Sequence, residues 1–68
     1  MIVSKAGAVE MERSKRGWEV PQLAKEAGVC HNTIYNAERG TPVKVKSATK
    51  IAAALGLPFE DLFEVKRQ

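Results

Sequence analysis

The chain has 68 residues, 44% of them apolar, a net charge of +3, one cysteine and one histidine. This excludes a disordered polyelectrolyte, a disulfide-stapled scaffold and a membrane span, whose ~20 apolar residues far exceed the longest apolar run, Ile51–Leu55. A chain this short buries only about 60% of the surface it exposes when unfolded, so residues 1–68 are expected to form one domain with a small helix-on-helix core, and the missing apolar stretch of a signal peptide makes a cytoplasmic protein the default.

Gly17, Gly28, Gly40 with Pro42, and Gly56 with Pro58 divide the sequence into five segments of helical periodicity. The first, about Ser4 to Arg16, has a weak apolar stripe of Ala6 and Val9 flanked by Ala8 and Met11. The second, about Val20 to Ala27, sets Val20, Leu23, Ala24 and Ala27 on one face. Pro21 falls in its first turn, where N–H groups have no intrahelical partner, and Gly28 supplies the left-handed residue that ends it. The third runs from about His31 to Arg39 and is stopped by Gly40. The fourth, about Val45 to Leu55, aligns Val45, Ala48, Ile51, Ala52 and Leu55 before Gly56. The fifth, about Phe59 to Val65, carries Phe59, Leu62 and Phe63. The expected fold is all-α, a compact five-helix bundle.

Segments two and three form a distinct unit at about residues 20–39. Two short helices joined by the glycine-containing turn "GVC" make a helix-turn-helix. Such a corner needs a small residue where the helices touch, a residue free to take positive φ, and apolar side chains that plug it. Ala24 meets the first need, Gly28 the second, and Leu23, Ala27, Val29, Ile34 and Ala37 the third.

With His31 at zero on a helical wheel, Tyr35 falls at about 40°, Arg39 at about 80°, Asn32 at about 100° and Asn36 at about 140°. Ile34 and Ala37 occupy the opposite side, with Thr33 beside them. The outer face therefore consists of hydrogen-bonding side chains suited to base edges in a major groove: asparagine for adenine, arginine and histidine for guanine. Reading through the first turns makes His31, Asn32 and Asn36 the candidate base readers. From Arg39 to Lys50 the charges are Arg39, Lys44, Lys46 and Lys50 with no acid, a local cationic stretch that suits a polyanionic partner.

The window "GWEVPQLAKEAGVCHNTIYNAERG" resembles the phage repressor and Cro type of helix-turn-helix, the XRE-like or lambda repressor-like family. "AERG" resembles that family's glutamate-x-glycine ending, and "TKIAAALGLPFEDLF" its fourth and fifth helices, so the likeness covers roughly Val9 to Phe63. The resemblance implies an ion pair between Arg13 and Glu38, the latter at about 340° on the same wheel. It implies a sequence-specific double-stranded DNA-binding regulator, a repressor, acting as a homodimer on a palindromic operator, in the cytoplasm or nucleoid of a bacterial, archaeal or phage system. Phosphate contacts would hold the domain on the duplex, with Gln22 and Lys25 on the second helix, Tyr35 and Arg39 on the third, and Lys44 and Lys46 beyond it as candidates. Leu57, Phe59, Phe63 and Val65 are the expected self-association surface. The sequence departs from the family at Glu19, where a serine or threonine cap is usual, at Val20, which replaces a frequent DNA-contacting glutamine, and at Glu12, usually leucine.

Other chemistries fit less well. Cys30 and His31 are too few for a zinc site and point about 100° apart on a helix, and a Cys–His nucleophile needs an orienting group in a cleft. Cys30 is read instead as a small, partly buried turn residue and a poor helix cap. No catalytic residue, cofactor, metal or membrane partner is expected. A protein-interaction module remains an alternative, because fold does not dictate function, although such a module would more often expose apolar anchors on its working face. An antitoxin or co-regulator with an unknown protein partner is a further alternative that the sequence does not separate from a repressor.

Overall fold

The first and last elements among the described residues are strands. A computed structural model describes residues 1–5 and 7–66; Ala6, assigned above to the first apolar stripe, lies outside the described residues. β1 (Ile2–Ser4) pairs antiparallel with β2 (Phe63–Val65), with Ile2 opposite Val65, Val3 opposite Glu64 and Ser4 opposite Phe63. Met1 and Lys66 exchange backbone hydrogen bonds beyond the strands, at 3.0 and 2.8 Å. On the other side of β1, the Val43 N–H donates to the Ile2 carbonyl at 2.8 Å.

Between the strands run five helices: α1 (Ala8–Lys15), α2 (Val20–Ala27), α3 (His31–Arg39), α4 (Val45–Leu55) and α5 (Phe59–Leu62). The helical bundle is the one the periodicity predicts, and α2, α3 and α4 have the expected bounds. The two ends differ. α1 starts at Ala8 rather than near Ser4, and α5 stops at Leu62 rather than Val65. The reason is long-range: three-residue strands are too short to show a period, and β1 and β2 are stabilised by each other's backbone groups across nearly the whole chain.

The core joins all of these elements. Leu23, Ile34, Ala37, Ala48 and Ile51 are completely buried, with Val9, Leu55, Leu62 and Phe63 almost so. α2 packs on α3 and α4, while α1 packs on α3 and α5. Each fully buried aliphatic side chain contributes about 1.5–3 kcal/mol through apolar burial. Alanines at 24, 37, 48 and 52 are buried too, and such small side chains let short helices approach closely.

The turn between α2 and α3 has a specific backbone cause. Gly28 takes φ 72° and ψ 36°, the left-handed conformation that costs other L-residues about 1–2 kcal/mol. In that geometry the N–H groups of Gly28 and Val29 both reach the Ala24 carbonyl, at 2.8 and 3.0 Å. These bonds satisfy the end of α2 and redirect the chain into α3.

Candidate nucleic-acid interface

α3 is anchored from below on three sides. Ile34 and Ala37 enter the core, and Val29 packs against it from the turn. The buried Ser4 hydroxyl donates to the Ala37 carbonyl, tying β1 to the last turn of α3. At the same end, Arg13 grips Glu38: Nε donates to Oε2 at 2.7 Å and Nη2 to Oε1 at 3.3 Å. The remaining Arg13 nitrogen, Nη1, donates to the Trp18 carbonyl at 2.8 Å. The hydrogen bond that Arg13 donates to Glu38 raises the Arg13 pKa above its ordinary value. The anchor leaves one side of α3 for solvent.

That side carries His31, Asn32, Tyr35 and Arg39, all exposed, with Asn36 half-buried at its margin. His31 and Asn32 stand in the first turn, directly after Cys30. Cys30 is exposed rather than partly buried, because its backbone is still extended (φ −74°, ψ 155°) and it precedes the packed turn of α3. It makes no side-chain cap. Among the described residues, no three His, Cys, Asp or Glu side chains gather at a point.

Asn36 is not free. Arg39 Nη2 donates to its Oδ1 at 2.7 Å. Asn36 also lines a cleft of about 300 Å³ with Thr33, Pro42, Val43, Lys44 and Ser47. Thr33 and Ser47 line this cleft although the sequence pattern does not single them out. Thr33 sits beside the inner residues on the wheel, and Ser47 lies in the first turn of α4, which only the fold brings near Thr33.

The candidate phosphate contacts surround this face unequally. Lys25, Lys44 and Lys46 are exposed, and Lys44 is the residue from which α4 starts, with no side-chain cap. Gln22 is exposed but occupied, its Nε2 donating to Glu26 Oε2 at 2.8 Å. Val20 is buried, so it serves the core. Among the described residues, none of Arg39, Lys44, Lys46 and Lys50 pairs with a carboxylate; the ion pairs lie elsewhere, at Arg13–Glu38, Lys15–Glu12, Arg16–Glu12 and Lys66–Glu64. The positive potential of this stretch is therefore not neutralised locally.

The expected self-association surface changes in one respect. Phe63 is 1% exposed and stacks on Phe59 with ring centroids 5.5 Å apart, so strand pairing has drawn it into the core. Val65, on the same strand, is 63% exposed. Leu57 and Phe59 are half-buried against the core.

Two helices joined at a left-handed glycine, the second held from beneath and offering a polar, cation-flanked face, define a helix-turn-helix domain. A sequence profile of the helix-turn-helix family matches residues 9–62, and the chain belongs to that family, in its XRE or lambda repressor-like branch. The chain is also 33% identical over 54 residues to a Haloquadratum walsbyi protein whose name assigns it, provisionally, as an HTH-type transcriptional regulatory protein. That alignment covers 79% of this chain but 17% of the relative, so the chain spans a small part of the relative's length.

Proposed function

We propose that this chain binds double-stranded DNA sequence-specifically as a transcriptional regulator, acting as a repressor. One observation carries the reading. The solvent side of α3 is a continuous row of hydrogen-bonding side chains, and the cations that follow it lack acidic partners. Base edges in a major groove need the former and phosphates need the latter. The regulatory name of the Haloquadratum walsbyi relative supports the same reading.

In this mechanism α3 enters the major groove by its N-terminal turns. His31, Asn32 and Asn36 face bases, while Tyr35, Arg39, Lys44, Lys46 and Lys25 approach phosphates. Gln22 joins them by exchanging its bond to Glu26 for one to phosphate. The protein works in the cytoplasm as a homodimer on a palindromic operator. Val65, Leu57, Phe59 and the outer edge of β2 form the contact between copies.

Selection of bound duplexes from a random-sequence pool tests this. Enrichment of a palindrome with half-sites about one helical turn apart is the expected result. Absence of any enriched sequence, with binding equal for all duplexes even at low salt, overturns it.

A further inference from the structure

The two asparagines of α3 are chemically inequivalent. Asn32 is exposed, and no hydrogen bond engages its amide among the described residues. It keeps one donor group and one acceptor, the pair that matches the N7 acceptor and N6 donor of adenine. Asn36 differs because Arg39 Nη2 lies 2.7 Å from its Oδ1. A guanidinium only donates hydrogen bonds, so the amide oxygen must be the group turned toward Arg39. The Asn36 Nδ2 then points elsewhere.

We infer that Arg39 is a specificity-determining residue that turns Asn36 from an adenine reader into a guanine reader. The inference rests on the DNA-binding function proposed above. With Oδ1 engaged, Asn36 offers the groove only its Nδ2 donors, while Arg39 keeps its other guanidinium donors for the neighbouring phosphate. Guanine presents two acceptors there, O6 and N7, and so satisfies a donor-only surface. Adenine presents an acceptor and an amino donor. Its N6–H groups would have to use the remaining lone pair of Oδ1, beside a guanidinium cation whose N–H groups point into the same space. No carboxylate among the described residues draws Arg39 away from Asn36. The half-buried position of Asn36 on the wall of the α3–α4 cleft limits the directions its amide can take.

The test begins with the random-duplex selection, repeated for Asn36→Ala to find the base pair whose preference relaxes. Labelled duplexes that differ only in guanine or adenine at that pair are then titrated with wild type, Arg39→Met and Lys44→Met. Unchanged circular dichroism and melting midpoints verify that the variants are folded. Wild type should prefer guanine by about fivefold or more, the lower end of what one base contact discriminates. Arg39→Met should lose that preference or reverse it toward adenine. Lys44→Met removes the same charge and should weaken both duplexes equally. An adenine preference in wild type, a guanine preference that survives in Arg39→Met, or an unchanged profile in Asn36→Ala overturns the inference while leaving DNA binding intact. A selection that enriches nothing overturns the DNA-reading function itself, and this inference with it.

Discussion

Arg13 and Glu38 meet across 25 residues of chain, with Nε 2.7 Å from Oε2 and Nη2 3.3 Å from Oε1. The contact joins α1 to the C-terminal turn of α3, and the third bond of Arg13, to the Trp18 carbonyl, fixes the turn leading to α2. Both side chains are largely shielded, at 14% and 13% exposure. Removing one partner leaves the other charge half-desolvated. Glu38→Ala should therefore cost about 1.5–3 kcal/mol, the range for hydrogen bonds to charged groups. Urea denaturation measures this, and a loss below about 0.5 kcal/mol would show that the pair behaves as an ordinary surface ion pair.

Gly28→Ala isolates the backbone requirement of the turn. A Cβ at this position meets no atom within 4 Å, so sterics with neighbours play no part. The expected cost is about 1–2 kcal/mol, from the left-handed φ alone. Gly28→Asn should recover part of it, because asparagine tolerates that region better. Equal melting curves for Ala and Asn variants would contradict this account.

Acid should weaken the α1 surface through Glu12. Hydrogen bonds from Arg16 and then Lys15 hold its carboxyl below the ordinary value of 4.5. Its folded pKa is lowered, so the unfolded chain binds the proton more readily, and stability rises with pH across that interval. The contribution is fully present above the ordinary value and is lost as pH falls through the lowered one. The difference in melting midpoint between wild type and Glu12→Gln should be present at pH 7 and vanish in strong acid. A difference that is constant with pH excludes this linkage.

On DNA, the two kinds of contact should respond differently. Asn32→Ala should lose about 1–3 kcal/mol against the selected operator and change non-specific binding little. Lys44→Ala should weaken binding to all sequences and reduce the salt slope by about one. Fluorescence anisotropy across a salt series separates these, and an unchanged slope removes Lys44 from the phosphate contacts.

Self-association can be probed without disturbing the fold. Met1 and Lys66 exchange both backbone bonds, so by antiparallel alternation Val65, one residue earlier, directs its N–H away from β1. Val65→Pro thus removes an outward donor and none of the hydrogen bonds between β1 and β2. In sedimentation equilibrium it should shift the protein toward monomer. A concentration dependence identical to wild type excludes the β2 edge from the interface.

Much of the molecule was legible from local signals. The bounds of α2, α3 and α4 follow from apolar spacing and glycine stops, both of which act within a turn or two. The outward row of His31, Asn32, Tyr35, Asn36 and Arg39 follows from the same spacing. Other features carry no such signal. Asn36 and Arg39 are neighbours on the wheel, but the bond between them depends on rotamers that the pattern does not encode. Ser47 and Thr33 share a cleft only because the fold brings the first turn of α4 near Thr33.

The division follows the range of the forces involved. The sequence by itself determined the helices, the left-handed turn at Gly28 and the polar face of α3, because propensity and periodicity are properties of adjacent residues. Only the tertiary structure decided that Ile2–Ser4 and Phe63–Val65 are strands, that Phe63 is core and Val65 surface, and that Cys30 is exposed. A strand of three residues is stable only against its partner, and here that partner stands at the opposite end of the chain.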